Sequence, residues 1–275
     1  MPFTPSHAVV ALPFLRTPLV PAAIAVGAMS PDLPLFLPGS PFGYLRSHSF
    51  VWLPATIVLA RVLLLVWRCG LRPAARELAP QWLARRLPPE WDGGAATAAA
   101  GTFARRGRRH PSLSGALLLV LSLALGVMSH IVWDLFTHEG RAGIAALDVL
   151  WGPLPAYKWL QHGSGVVGLA ILAVWAVVRL RRAPVAHPVP RMVPGAVRWV
   201  WWVSLPAILL FAWLWGLAVF GPFTAGFAPE HLAYRVLPRA CAVWATLTFL
   251  VCVIIQLAGR RRARRRAPRS LAATR

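Results

Sequence analysis

Residues 113–138 read LSGALLLVLSLALGVMSHIVWDLFTH. The first twenty or so positions, Leu113–Trp133, carry no charge, and a run of ~20 apolar residues is long enough to cross a bilayer as an α-helix. Its far end is not apolar. Ser129-His130-Ile-Val-Trp-Asp134-Leu-Phe-Thr-His138 places an imidazole and a carboxylate four residues apart, on one helix face and about 6 Å apart along the axis. One helix can offer such a pair to a single metal ion. Ionisable groups at the edge of a span are costly and are functional candidates by default.

Around this stretch lie more runs of the same kind: Phe50–Trp67, a short glycine-rich Ser164–Val178, Trp199–Phe220 and Leu237–Leu257. Apolar residues make up 57% of the 275 and charged ones 13%, which would leave a water-soluble protein too little polar surface to solvate. The expected fold is all-α, a polytopic membrane bundle of about five full spans plus an N-terminal element. That element, Ala8–Met29, is broken by Arg16-Thr17-Pro18. As one kinked span it separates His7 from Asp32; as a re-entrant hairpin it brings them together, which requires burial against other helices. The prolines clustered at its centre favour the hairpin.

The net charge of +21 first suggests nucleic acid, but its distribution argues against that. Arg68 and Arg72–Arg109 hold nine basic residues, Arg179–Arg198 five and Arg260–Arg275 eight, so 22 of 29 fall in three segments alternating with apolar runs. That is the positive-inside pattern, with the same segments lying against anionic headgroups. The expected partners are therefore membrane lipids, with no nucleic acid. Residues 1–182 form a membrane domain with a basic cytoplasmic loop at 68–112, residues 183–258 two further helices, and residues 259–275 a disordered basic tail. Within the loop a surface helix is expected around Glu77–Leu87 and a mobile portion at Gly93–Gly101. Cys69, Cys241 and Cys252 form no paired motif and read as small apolar residues. His110, His187 and His231 read as polar anchors.

With the three basic segments in the cytoplasm, Asp32, His48, Asp134, His138 and His162 all reach the outer mouth. Asp32 sits in Ser30-Pro31-Asp32-Leu33-Pro34, where the prolines hold the carboxylate on a stiff loop. His48 is expected exposed at a helix mouth with Ser49 as N-cap. Zinc accepts His nitrogen and Asp oxygen, with three protein ligands and a water in catalytic sites. His138 ranks below His130 and Asp134, because a regular helix carries it about 12 Å along the axis from His130. It could serve only if the helix ends near Thr137. Lys158 is the one lysine in the chain and suits an anionic substrate group near His162.

Thr4-Pro-Ser-His7, Ser30-Pro-Asp32, Ser47-His48-Ser49, Ser129-His130-x-x-x-Asp134 with Thr137-His138, and Gln161-His162-Gly-Ser together resemble an uncharacterised bacterial multi-pass membrane protein family that carries only a domain-of-unknown-function label. More distantly, the order His, Asp, His-Ser, His-x-x-x-Asp is similar to inner-membrane metal-dependent hydrolases, though that family tends to a doubled acidic motif where this chain has Asp32 alone. The resemblance covers roughly residues 1–180. It implies His7, Asp32, His48, His130 and Asp134 as metal ligands; His138, Lys158 and His162 are read from their positions alone as supporting or substrate-facing groups. The expectation is a zinc-dependent membrane hydrolase of lipid esters or phosphoesters; the alternative is a metal-stabilised scaffold or partner-binding protein without catalysis.

Overall fold

A computed structural model describes residues 4–37, 39–105, 107–108, 110–186 and 191–266. Among the described residues the regular structure is helical apart from one β-hairpin of two-residue strands and two isolated bridges, and five helical stretches are long and apolar enough to cross a membrane: Phe50–Leu78, Leu113–Thr137, Ala156–Arg182, Gly195–Phe220 and Pro229–Arg262. Two compact units result, one of residues 1–66 and 97–183, the other of residues 67–96 and 184–275.

In the first unit, a 3-10 segment Thr4–Phe14 turns at Leu15–Leu19 into α1, Pro21–Met29. Thr4 Oγ1 at its start donates 2.7 Å to Asp32 Oδ2 just beyond α1, so this element is a hairpin and not a kinked span. Helix α2 is Leu53–Leu65 and α3 Ala95–Thr102. The alanines of α3, strong helix formers, make a helix of a stretch expected to be mobile. Helix α4, Leu113–Thr137, is the core: Ser112 caps it through Gly115 N, and Gly115, Leu119, Ser122, Leu123, Gly126, Val127, His130, Ile131, Asp134 and Thr137 form its buried stripe. The three- and four-residue spacing is that of a single helical face. Its other face exposes Leu117, Leu121, Met128, Val132 and Phe136, an apolar surface suited to lipid contact.

In a bilayer, lipid would offer helices little hydrophobic reason to associate, and α1 packs on α4 through small residues that let the backbones approach closely. A Cβ added at Gly126 would stand 2.2 Å from Ile24 O, and one at Gly27 2.5 Å from Leu123 O. Only glycine permits this approach. Ser122 Oγ accepts from Val20 N at 2.9 Å and fixes the register of the two helices.

The β-hairpin pairs β1, Leu150–Trp151, with β2, Leu154–Pro155. It leads into α5, Ala156–Arg182. The expected short span from Ser164 thus begins eight residues earlier, and His162 lies on the helix, not in a loop. Proline at position 155 supplies the start, its fixed φ compatible with a helix N-cap region.

In the second unit, α6 is Gly195–Phe220 and α7 Pro229–Arg266. Gly216 of α6 faces Leu232 and Val236 of α7. Short helices Ala75–Leu78 and Gln81–Ala84 occupy the region expected to hold one surface helix. The Glu77 carboxylate accepts from Met192 N and Val193 N at 3.0 and 3.2 Å, and Gln256 Nε2 donates to Cys69 O and Gly70 O. Residues 260–266, expected in the disordered tail, continue α7; residues 267–275 and His187 lie outside the described residues.

Candidate metal centre

Each polar side chain of the centre is delivered by a fixed piece of backbone. Asp32 ends the Ser30-Pro31-Asp32 turn after α1, and that turn is pinned by Ser47 Oγ donating 2.7 Å to Pro31 O. His48 closes the short helix Tyr44–Ser47. His130 and Asp134 are one turn apart on the buried stripe of α4. His7, at the start of the N-terminal hairpin, lays its ring on that of His130, centroids 4.1 Å apart. His48 is buried and Ser49 makes no side-chain cap, against the expectation of an exposed imidazole at a helix mouth. The Pro31–Ser47 tie folds His48 inward.

The tautomers follow from the partners. His48 Nδ1 lies 2.9 Å from Tyr44 O and His130 Nδ1 2.6 Å from Ala28 O. A carbonyl only accepts, so both Nδ1 atoms carry the proton, and in a neutral ring Nε2 is then a bare lone pair. Those two Nε2 atoms face each other at 3.1 Å. Two acceptors at that distance repel unless a proton or a metal ion lies between them. The surroundings are built for one: Asp134 Oδ2 lies 3.3 and 3.4 Å from the two nitrogens, and Asp32 Oδ1 3.6 and 3.7 Å.

Zinc bonds of 2.0–2.1 Å in a tetrahedron separate the ligand atoms by about 3.3 Å. Each carboxylate oxygen therefore forms, with the two imidazole nitrogens, a triangle close in size to one tetrahedral face. Two triads, Asp32–His48–His130 and His7–His130–Asp134, have their donor atoms within 4.8 Å of one another. His7 Nε2 is buried and lacks a hydrogen-bond partner, and buried Asp134 Oδ1 has only the longer, 3.4 Å approach of His138 Nδ1. Buried polar atoms are normally satisfied, and both would find a partner in a metal ion or its water.

The electrostatics agree. Burial alone would raise the Asp32 carboxyl, but the hydrogen bond from His48, the nearby His130 and Thr4 hold it below the usual range. Burial pulls His48 down, and the hydrogen bonds with Asp134 and Asp32 more than reverse this, leaving it raised. That field attracts positive charge of either kind, a proton or a divalent ion. Burial, reinforced by His130, lowers His7 to about 4, so at neutral pH it offers a lone pair.

Helix α4 does end at Thr137, and His138 turns back. Gln161 Nε2 donates to His138 Nε2 at 3.2 Å, leaving the proton on Nδ1, 3.4 Å from Asp134 Oδ1. His138 thus touches a candidate ligand rather than joining the cluster itself. It also lines a cavity of about 440 Å³ with Tyr44, Arg141, Lys158 and Gln161. Tyr44 Oη reaches Asp134 Oδ2 at 3.5 Å, so the cavity abuts the centre. Lys158 is on its wall; His162 is exposed and no described contact joins it to the cluster. Sequence reading overlooked Tyr44, Arg141 and Thr4 as participants. Tyr44 stands one helical turn before His48, a spacing that could have flagged it.

A family model described as "Domain of unknown function (DUF4184)" matches residues 1–258. The chain therefore belongs to that family, and the match extends well beyond the first 180 residues. No curated protein and no solved structure matches it.

Proposed function

For this member of a family without an assigned activity, we propose a membrane-embedded, zinc-dependent hydrolase whose centre opens at the outer membrane face. Its substrate class is a lipid ester or phosphoester. The observation that carries the reading is the pair of facing imidazole lone pairs, His48 Nε2 and His130 Nε2 at 3.1 Å, bracketed by two carboxylates. His48, His130, Asp32 and Asp134 would hold the metal, with His7 beside His130 as a further donor. When bound, zinc supplies Lewis acidity and brings the pKa of its water to about 7.

The protein's own groups supply the rest. The backbone bonds of Tyr44 O and Ala28 O fix the tautomers and ring planes of both histidines, the orienting role that ligand imidazoles require. His138 holds a proton on Nδ1 next to Asp134 and turns Nε2 to Gln161 on the cavity wall, so the ring can take up a proton at Nε2 as it gives one up at Nδ1. Arg141 and Lys158 on the cavity wall suit an anionic group of the substrate. The positive-inside distribution puts the three basic segments in the cytoplasm, and the chain then runs inward, outward and inward through its first three long apolar helices.

The second reading is a metal-stabilised scaffold or partner-binding protein. Two carboxylate oxygens flank the two nitrogens, four donors in all and one more than the three protein ligands of most catalytic zinc sites, and this favours a closed, structural shell. The adjoining cavity favours catalysis. Metal content of the detergent-purified protein, measured by mass spectrometry beside H130A and D134A, is the first test. About one or two zinc ions per chain, lost in both variants, is expected; full retention in either variant overturns the assignment. Hydrolysis of ester and phosphoester lipids by the loaded protein, or its absence together with a closed four-ligand shell in X-ray absorption, then separates the two readings.

A further inference from the structure

The second unit holds two cavities that the metal centre does not use. One, about 380 Å³, is lined by Arg76, Glu77, Asp92, Gly94, Arg191 and Arg260 among others. The other, about 580 Å³, is walled largely by Leu78, Pro80, Trp82, Trp199 and Trp202. Arg191 lines both.

The charge in the first cavity is unbalanced. Arg76 is 7% exposed and pairs with Asp92 at 2.9 Å. The Glu77 carboxylate is occupied by the amides of Met192 and Val193. Arg191 donates to neutral acceptors, Ala79 O and Gln81 Oε1, so three guanidinium groups, of Arg76, Arg191 and Arg260, line the cavity against two carboxylates, Glu77 and Asp92. The Nε atoms of Arg76 and Arg191 are buried without any acceptor. An unmet buried guanidinium N–H costs more than an ordinary missing hydrogen bond, and its natural complement is an anionic oxygen.

We propose that the two cavities form one binding site for an anionic phospholipid. The phosphodiester lies against Arg76, Arg191 and Arg260, and an acyl chain lies in the tryptophan-walled groove. Charge complementarity selects the headgroup, and the groove that continues from Arg191 selects a ligand with an apolar tail over free phosphate. The arginine-rich C-terminal segment has the wrong sign to occupy the site. Basic pockets beside spans on the cytoplasmic side suit such headgroups. The proposal stands independently of whether the first unit binds metal.

The test exploits Gly94, whose added Cβ would meet nothing within 4 Å and whose φ is ordinary. G94E puts a carboxylate at the cavity while leaving every arginine contact in place; G94S controls for the side chain itself. Native mass spectrometry of the full chain from micelles containing equal phosphatidylglycerol and phosphatidylcholine is expected to show one tightly held phosphatidylglycerol. Retention should fall about fivefold or more in G94E and in R260Q, in line with the worth of a single charge near a headgroup, and remain unchanged in G94S. A matched W82A variant should weaken lipid but not soluble glycerol phosphate. Equal retention of both lipids, or wild-type phosphatidylglycerol binding by G94E at an unchanged melting temperature, overturns the proposal. Displacement of the lipid by glycerol phosphate alone overturns the role given to the groove.

Discussion

The two units are built from the same kind of helix yet have opposite unmet needs. Among the described residues, the buried side-chain atoms without a hydrogen-bond partner in the first unit are His7 Nε2, Asp134 Oδ1 and Gln161 Oε1; those in the second are Nε of Arg72, Arg76 and Arg191. Electron-rich atoms are stranded in one and N–H donors in the other. The unmet atoms of the first suit a cation and those of the second an anion. The packing differs accordingly: 44% of the most apolar window of α4 is buried within the protein, against 6% for α6. Donors on a deeply buried helix keep their geometry; a helix as little buried within the protein as α6 leaves a groove beside its tryptophans.

The largest effect that would sharpen this contrast is metal removal. Stripping zinc with a chelator should destabilise the protein by about 3 kcal/mol if the metal was present at about 100 times its Kd, read as a fall in melting temperature. H130A should already have lost that increment and respond little to chelator, while phosphatidylglycerol retention stays unchanged in both. A chelator effect of equal size in H130A would break the comparison.

Next comes the glycine contact that sets the centre. G126A drives a methyl group towards Ile24 O, and overpacking of this kind costs about 1–3 kcal/mol. Because the same helix pair brings Ala28 O to His130, zinc affinity should fall with stability. Unchanged zinc binding in a destabilised G126A would mean that α1 does not position the ligand.

Acid should act on the first unit through His48. It binds zinc only when deprotonated, and the carboxylates raise its pKa in the metal-free protein above the ordinary value. Zinc affinity should therefore be less sensitive to pH above that raised value and fall about tenfold for each unit below it, as titration calorimetry can measure. An affinity that rises on acidification would exclude His48 as a ligand. The smallest effects separate two residues of α5: K158Q should raise KM for an anionic phosphoester by about fivefold with zinc retained, comparable to one charge contact. H162A, at an exposed site, should shift stability by no more than about 0.5 kcal/mol and leave zinc untouched.

How much of this was legible in the chain can be read from particular residues. Apolar runs and the His130–Asp134 spacing depend on helical periodicity, a local property. They specify the all-helical fold and the core helix. Proline at 18 and 21 favoured the N-terminal hairpin for a local reason too. Burial of His48 was not legible, because it follows from Ser47 reaching Pro31, sixteen residues away. The role of Tyr44 and the cavity with Arg141 and Lys158 likewise need the ends of α4 and α5 brought together.

The sequence by itself determined where the long apolar helices run, that they suit a bilayer, and which His and Asp residues have the chemistry to hold a metal. Only the tertiary structure decided which of them meet. His7, Asp32, His48, His130 and Asp134 converge, His162 does not, and two imidazoles stand with their lone pairs opposed. The reason is that periodicity fixes the face on which a residue lies, whereas the approach of α1 to α4 and the tie between Pro31 and Ser47 depend on contacts distant in sequence.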